Sequence, residues 1–219
     1  ENGIIYFLNG TYTNIVNKNI NKNLTVSAYN NANVILDAHK TGYIFYIGNQ
    51  NNYFTIIGLQ FINGTGCIYN NELRGGAILS LASLNIYNST FVNNTAYYGG
   101  AIYCYNETKI DNSVLSNNIG YSNGGAIYAE RVLNISNSNF INNSASLNAG
   151  AIYILDNSNI VKSTFINNTA YTGGAIQTYG GIGNLTVNSS VFYNNNASYD
   201  KAIWFTGYSL NINYNWWGN

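Results

Sequence analysis

The stretch STFINNTAYTGGAI, residues 163–176, decides the fold, because close copies of it recur along most of the chain. Its Gly-Gly-Ala-Ile element begins at residues 75, 99, 124, 149, 173 and 200, altered to Ala-Gly-Ala-Ile at 149 and to Asp-Lys-Ala-Ile at 200. Successive starts are therefore separated by an almost constant interval of two dozen positions or slightly more. The aromatic-x-Asn-Asn element keeps the same step, at Phe91, Leu115, Phe140, Phe165 and Phe192, with Leu in place of the ring at 115. Two independent markers with one period indicate a repeat architecture.

The local pattern within each repeat favours strand over helix. Leu84-Asn85-Ile86, Leu133-Asn134-Ile135 and Leu185-Thr186-Val187 alternate apolar with polar residues, which is typical of a half-buried strand. We therefore interpret each repeat as three short strands and three turns, forming one coil of a parallel β-helix. Eight or nine coils, stacked about 4.8 Å apart, predict a rod core about 40 Å long.

The same register assigns side chains to the inside and to the corners. The Phe positions are predicted to stack into an internal aromatic column, and the Asn pairs to form amide ladders at a turn. The Gly-Gly pair predicts a corner where the backbone turns tightly or approaches another coil without a Cβ. Asp200-Lys201 replaces that pair, so we expect the stack to end near there.

We predict one domain over residues 1–219. Residues 1–65 are expected to form an irregular N-terminal cap and coils, residues 66–203 the regular repeats, and residues 204–219 a C-terminal coil. The longer spacing before Gly75 predicts a protruding turn over residues 64–74, and the aromatic cluster of residues 214–218 is expected to cover the final coil. The absence of Met and of a leader-like segment suggests a piece of a longer protein. We expect the segment by itself to be monomeric.

Composition argues against several classes of partner. Only 7% of the residues are charged and the formal net charge is zero, so the basic surface that nucleic acid requires is not expected. Apolar runs of five or six residues are too short to span a bilayer. With 46% hydrophobic residues the chain should fold rather than stay disordered. Cys104 fits a small core position, so we favour free thiols over a Cys67–Cys104 bridge.

The Gly-Gly-Ala-Ile and Phe-x-Asn-Asn elements, best preserved over residues 75–203, resemble the repeats of the polymorphic outer-membrane proteins of bacteria. With the Asn- and Tyr-rich texture and the ending Asn215-Trp216-Trp217-Gly218-Asn219, the chain more closely resembles the β-helix domains of adhesin-like surface proteins of methanogenic archaea. This resemblance implies a right-handed parallel β-helix, extracellular display on the cell surface, and attachment to other cells or to glycans. It supplies no catalytic residues.

Acidic residues are too few and scattered to predict catalysis. Glycoside hydrolysis needs two carboxylates about 5–10 Å apart, and only Glu107 with Asp111, or Glu130 with Asp156, are plausible pairs. We prefer to interpret Glu107, Arg131 and Asp156, which follow one another at the repeat interval, as a surface salt-bridge ladder. His39 is the sole histidine and no carboxylate cluster is visible, so neither a metal site nor a cofactor is predicted.

A ladder of aromatic rings is the candidate binding site. Tyr103, Tyr128 and Tyr153 follow the Ile of successive Gly-Gly-Ala-Ile elements, and Trp204 continues the register. If each Ile points inward, each ring points outward and could stack on sugars or contact a partner. Two alternatives stay open: the rings cover a flat sheet face without a ligand, or the alternation is inverted and the rings are core.

The leading functional hypothesis is a non-catalytic adhesin segment at the cell surface, which binds glycans or a cell-surface partner through the face of a rigid rod. The alternative is a polysaccharide lyase, a glycoside hydrolase or an inactive relative of one. A passive spacer is a third possibility, because exposed aromatic rings would suit a binder and a stalk equally well.

Overall fold

A computed structural model describes residues 3–180 and 183–218. Three short segments lie outside the described part: residues 1–2 of the predicted cap, residues 181–182, and residue 219 of the predicted C-terminal coil. The described chain is a parallel β-solenoid of nine turns. The predicted all-β parallel β-helix of eight to nine coils is thereby confirmed.

Strands of successive coils align into four sheets, which we call sheets A, B, C and D. Sheet A contains Gly3–Phe7, Leu24–Ala28, Tyr53–Ile57, Ser83–Tyr87, Thr108–Asp111, Leu133–Ser136, Ser158–Val161, Asn184–Asn188 and Ser209–Asn211. Sheet B contains Gly10–Tyr12, Val34–Asp37, Leu59–Ile62, Thr90–Val92, Val114–Ser116, Asn139–Ile141, Thr164–Ile166, Val191–Tyr193 and Trp216–Trp217.

Sheet C contains Lys18–Ile20, Phe45–Ile47, Ile78–Ser80, Ile102–Cys104, Ile127–Ala129, Ile152–Ile154, Ile176–Thr178 and Ile203–Trp204. Sheet D contains Cys67–Tyr69, Glu72–Arg74, Thr95–Tyr98, Ile119–Asn123, Ser144–Ala145, Thr169–Thr172 and Asn196–Tyr199. A short 3₁₀ helix, Tyr29–Asn31, follows the second strand of sheet A.

A regular coil contains four strands, so the prediction of three was wrong. The chain passes through sheets A, B, D and C in that order, as in Ser83–Tyr87, Thr90–Val92, Thr95–Tyr98 and Ile102–Cys104. The extra strand is the short polar segment between Asn-Asn and Gly-Gly. Its inward position carries a small residue, such as Ala96 or Ala170, and this segment therefore lacks the apolar alternation that marked the other strands.

The coil register follows the sequence period. Leu84 pairs with Thr108, Thr108 with Leu133, and Leu133 with Ser158, so each pairing advances the chain by one repeat. The first coils are less regular. Gly3 pairs with Leu24 and Leu24 with Phe54, and the first of these steps is shorter than the regular period while the second is longer.

The predicted aromatic column runs through the core. Rings stack between Phe61 and Phe91 at 4.7 Å, and between Phe140 and Phe165 at 4.9 Å. Phe192 continues the column at 4.8 Å from Phe165, and Trp217 stacks on Phe192 at 4.7 Å. The terminal aromatic cluster therefore covers the last Phe of the column, as predicted.

The predicted amide ladder is confirmed and involves the second Asn of each pair. Each of these asparagines donates a hydrogen bond from Nδ2 to Oδ1 of the corresponding Asn on the following coil, at 2.9–3.0 Å. The series runs through Asn94, Asn118, Asn143 and Asn168 and ends at Asn195. The first Asn of each pair has a left-handed backbone, with φ of 55° at Asn142 and Asn167. Asn tolerates that conformation better than most residues do. The first Asn positions also form an exposed amide ladder over three coils, in which Asn194 donates to Asn167 at 2.7 Å and Asn167 donates to Asn142 at 3.1 Å.

Both predicted reasons for the Gly-Gly corner are observed. The first glycine has a positive φ, such as 68° at Gly124. A Cβ on the second, Gly125, would lie 2.0 Å from the carbonyl oxygen of Gly150 on the next coil. Lys201 occupies the second position in the last complete coil, where no described coil approaches as Gly150 approaches Gly125. Its side chain is tolerated there for that reason.

The predicted protruding turn is a β-hairpin. Cys67–Tyr69 and Glu72–Arg74 pair antiparallel, and Arg74 then pairs in parallel with Tyr98. The hairpin therefore extends sheet D at its first edge. It places Arg74 against the outer face of sheet C.

Candidate functional site

The four predicted site residues lie in one register of sheet C. Tyr103 pairs with Tyr128 and Tyr128 with Tyr153, while Gln177 pairs with Trp204. Ring centroids are 5.1 Å apart in each of the two tyrosine pairs. The predicted stacking is therefore present over three coils.

The predicted exposure of these rings is wrong. Tyr103 is 0% and Tyr153 is 4% exposed, while Tyr128 and Trp204 are half-buried. The tyrosines do point away from the solenoid core, because the neighbouring Ile102 faces inward with the main cluster. The reason is the sharp Gly-Gly corner, which brings side chains of sheet D over the outer face of sheet C. Tyr98, for example, lies 5.2 Å from Tyr128 between ring centroids.

Arg74 is the centre of this outer cluster. Its guanidinium carbon lies 4.8 Å from the ring centroid of Tyr103, 5.4 Å from that of Tyr98 and 5.5 Å from that of Tyr69. Such distances are within the range of cation–π attraction. Only 15% of the Arg74 side chain is exposed. Because Tyr103 belongs to sheet C, this largely buried charge attaches the hairpin to that sheet.

Two carboxylates compensate that charge. Arg74 Nη2 lies 3.3 Å from Glu72 Oε2, and Nη1 lies 3.8 Å from Glu130 Oε1. The Tyr103 hydroxyl accepts a hydrogen bond from Arg74 Nη1 and donates one to Glu130. We call Tyr69, Glu72, Arg74, Tyr98, Tyr103, Tyr128 and Glu130 the tyrosine–arginine cluster.

Burial and charge shift the titration of the cluster away from neutral pH. Burial, with Glu130 adding to it, raises the pKa of Tyr103 far above its ordinary value. Burial likewise raises the pKa of Tyr128 to about 12. Burial opposes the charge of Arg74, but Tyr103, Glu72 and Glu130 together hold its pKa above the usual value. General acid–base catalysis works best with a pKa near the operating pH, and these three groups do not meet that condition.

The predicted salt-bridge ladder does not form. Among the described ion pairs, none joins Arg131 to Glu107 or to Asp156 within 4.0 Å. Cys104 pairs with Ala129 and Thr108 with Leu133. Glu107 therefore corresponds to Val132, so Arg131 lies one residue short of it. Instead Glu130, on the adjacent position, joins the tyrosine–arginine cluster.

The two cysteines are free, as predicted. Cys104 belongs to the solenoid core and Cys67 to the outer cluster, on opposite faces of sheet C, so a bridge would have to cross the sheet. Within residues 3–180 and 183–218 no group of three His, Cys, Asp or Glu side chains could hold a metal ion. Over the same ranges, no helix has the length and apolarity to cross a bilayer.

An exposed aromatic surface was predicted for the residues that form sheet C, but the exposed apolar surface lies on sheet D. Eight large apolar side chains on its strands or within two residues of them are at least 38% exposed. We call them the apolar strip: Ile68, Leu73, Tyr97, Ile119, Tyr121, Leu147, Tyr171 and Tyr199. The signal was present in Ala96-Tyr97, Gly120-Tyr121 and Ala170-Tyr171, where a buried small residue precedes an exposed ring.

The apolar strip differs from the other faces of the rod. On sheets A and B, most exposed large apolar side chains lie on the first or last strands, such as Ile4, Tyr6, Leu210 and Trp216. Those strands have an unpaired edge in the described chain, so exposure there is expected. The apolar strip instead includes interior strands, where Tyr121 and Tyr171 are 53% and 52% exposed. A contiguous exposed apolar patch marks an interaction surface.

Comparison with known proteins identifies the repeat. Residues 88–105, 112–130 and 162–179 match the Chlamydia polymorphic membrane protein repeat. Each matched segment contains one passage through sheets B, D and C. The match supports the predicted similarity to polymorphic-membrane-protein repeats, a surface-associated, adhesin-like family, and leaves the closer likeness to archaeal adhesin-like proteins a prediction. No curated protein and no solved structure matches the chain.

Proposed function

We propose that this chain is a non-catalytic, adhesin-like segment displayed at the cell surface, which attaches to another cell through the apolar strip of sheet D. The observation that carries the proposal is the concentration of exposed large apolar side chains on interior strands of one sheet. The polymorphic-membrane-protein repeats support surface display. The continuous ladders support a rigid rod, because each coil is hydrogen-bonded to the next.

The dimensions of the apolar strip suit a macromolecular partner. It extends from the hairpin to Asn196–Tyr199, which is six coils or about 24 Å at the usual strand spacing. A standard protein interface buries about 800 Å² on each partner, and a strip of this length with its flanking residues supplies such a surface.

The composition of the apolar strip favours a protein partner over a glycan. Half of its side chains are aliphatic, namely Ile68, Leu73, Ile119 and Leu147, and aliphatic side chains offer no stacking platform for a sugar ring. Tyrosine is enriched in protein interfaces and among the residues that contribute most to their binding energy. We therefore assign the apolar strip to a protein on the opposing cell and place saccharide contacts elsewhere on the rod.

The state of the carboxylates supports a non-catalytic role. Glu72 and Glu130 both lie within 4.0 Å of the Arg74 guanidinium, at 3.3 Å and 3.8 Å. Each is engaged in an ion pair that a catalytic acid or base would have to break. Asp111 accepts hydrogen bonds from Ser136 and Asn137, which lower its pKa and keep it ionised.

The test is attachment of the labelled, purified chain to cells, measured by flow cytometry on a panel of microbial and epithelial cells. The variant combines Tyr121→Ser, Leu147→Ser and Tyr171→Ser. The matched control combines Tyr193→Ser and Tyr208→Ser, which are also exposed but lie outside sheet D. We expect at least a tenfold loss of attachment for the first variant and none for the control, with unchanged circular dichroism.

Treatment of the cells identifies the kind of partner. Protease treatment should abolish attachment, whereas periodate oxidation of cell-surface glycans should leave it unchanged. Attachment of the sheet D variant at the wild-type level would refute the proposed face. Loss after periodate alone would refute the protein partner.

A further inference from the structure

The outer face of sheet A carries a polar groove that the apolar strip does not touch. It is lined by Tyr53, Ser83, Asn85, Glu107, Lys109 and Asn134 and has a volume of about 440 Å³. These residues come from four successive coils, on or next to Tyr53–Ile57, Ser83–Tyr87, Thr108–Asp111 and Leu133–Ser136.

The register places the polar groups side by side. Asn85 pairs with Lys109, and Lys109 pairs with Asn134, so the three side chains stand on adjacent strands about 4.8 Å apart. All three lie on the outward side of sheet A, because the intervening Leu84, Ile86 and Ile110 face the core. The groove is therefore a row of donors and acceptors on a rigid support.

Those donors and acceptors are free for a ligand. Elsewhere in this solenoid, stacked asparagines satisfy one another, as Asn118 and Asn143 do. Among the described residues, the side chains of Ser83, Asn85, Glu107, Lys109 and Asn134 make no hydrogen bond within the protein. The Lys109 ammonium lies 5.6 Å from the centroid of the Tyr87 ring, a cation–π contact that leaves N–H donors of the ammonium without a hydrogen-bond acceptor. Lys109 separates Asn85 from Asn134 in the column, and this prevents an amide ladder at this place.

An aromatic platform stands at one end of the groove. Tyr53 is 63% exposed and belongs to the strand that pairs with Ser83–Tyr87. The face of an exposed tyrosine ring can stack on the apolar face of a pyranose, and its hydroxyl remains available for hydrogen bonding.

The charge balance selects among saccharides. Glu107 and Lys109 contribute one negative and one positive charge, so the groove is neutral overall. A polyanion would be repelled by Glu107 and would find only one cation. Vicinal hydroxyls suit a set of amides, a carboxylate and an ammonium group, because each hydroxyl both donates and accepts.

We propose that the sheet A groove binds an uncharged oligosaccharide, with Tyr53 stacking on one sugar ring and Asn85, Glu107, Lys109 and Asn134 binding hydroxyl groups. This site is separate from the apolar strip and does not depend on the proposed protein contact. A rod with both surfaces would contact a glycan and a protein through different faces.

The test is binding of defined hexasaccharides to the purified chain by isothermal titration calorimetry and saturation-transfer difference NMR. The probes are cellohexaose, chitohexaose and mannohexaose, with hexagalacturonate as the anionic comparison. We expect one or more neutral probes to bind and hexagalacturonate to bind at least tenfold more weakly. In the NMR experiment, saturation of the aromatic region should transfer to the sugar ring protons of the bound probe.

Variants locate the site. Asn85→Ala combined with Asn134→Ala, and separately Tyr53→Ser, should each weaken binding at least tenfold. The matched control is Asn211→Ala, which lies in the same column of sheet A three strands beyond Asn134 and should bind as the wild type does. The sheet D triple variant should also bind sugar normally, which separates this proposal from the proposed attachment function.

Three results would overturn the proposal. These are no binding of any neutral probe, tighter binding of hexagalacturonate than of the neutral probes, or wild-type binding by both groove variants. All substituted side chains are at least partly exposed, so folding should be retained. Circular dichroism verifies it, and the transfer NMR experiment on the wild-type chain tests the ring contact without any substitution.

Discussion

Removal of one amide from the internal asparagine ladder should destabilise the whole solenoid. Asn143 is fully buried and its side chain makes four hydrogen bonds. Oδ1 accepts from the backbone N–H and the Nδ2 of Asn118, both at 3.0 Å. Nδ2 donates to the carbonyl oxygen of Leu115 at 2.9 Å and to Oδ1 of Asn168 at 3.0 Å.

The magnitude follows from this count. A net contribution of about 1 kcal/mol for each hydrogen bond predicts that Asn143→Ala lowers the free energy of unfolding by about 4 kcal/mol. The backbone N–H of Asn118 and the carbonyl of Leu115 would then lie buried without these partners, which acts in the same direction. Asn195, at the end of the ladder, makes three such bonds, so Asn195→Ala should cost less, about 3 kcal/mol.

Equilibrium urea denaturation, followed by circular dichroism, measures the difference. The control is Asn117→Gly, because Asn117 is exposed and its φ of 56° suits glycine. The effect of this substitution should stay within about 0.5 kcal/mol. An Asn143→Ala variant that loses less than about 1 kcal/mol relative to this control would refute the assigned role of the ladder. An unchanged denaturant slope is needed for that comparison.

Three further outcomes are expected. Ala149 has the left-handed backbone conformation that glycine has at this position in other coils, with φ of 59°. Ala149→Gly should therefore raise the free energy of unfolding by about 0.5–1 kcal/mol in the same urea assay. A loss of stability would contradict this prediction. Burial raises the pKa of Tyr128 to about 12 from an unfolded value of about 10, so its contribution to stability should be complete below pH of about 10 and be lost as the pH rises toward 12. Ultraviolet titration of folded Tyr128→Phe against the wild type checks this, and removal of a component titrating near 10 would count against it. Burial also raises the pKa of the Cys104 thiol to about 12 and that of Cys67 above its usual value. Neither thiol should therefore react with a thiol reagent at neutral pH until the chain is denatured. Rapid labelling of the native protein would show that the assigned burial is incorrect.

Local repetition made the coil predictable. Phe140 and Phe165 lie one period apart in the sequence and stack in the structure. The Asn and Gly-Gly positions were equally predictable, because left-handed turns and close backbone approach restrict the choice of residue wherever they occur. The same period predicted the number of coils and the place where the regular corner is lost, at Asp200-Lys201.

The candidate site was predictable only in part, because exposure depends on neighbours from other coils and sheets. Alternation correctly directed Tyr103 away from the solenoid core, but it could not reveal that Tyr98 and Arg74 cover it from sheet D. Arg74 and Glu130 lie more than two repeats apart in the chain and belong to no repeated element, so their pairing had no sequence signal. The coil step is 25 residues on both sides of the corner that contains Glu107, so Arg131, which follows Glu107 by 24, is out of register with it by one residue.

The sequence by itself therefore determined the periodic features of this protein: a stacked β-coil, its Phe and Asn columns and its glycine corners, since each is a local requirement repeated at a fixed step. Only the tertiary structure decided which aromatic rings meet solvent. That outcome depends on how sheet D lies against sheet C, a packing of outward-facing side chains that strand alternation does not encode.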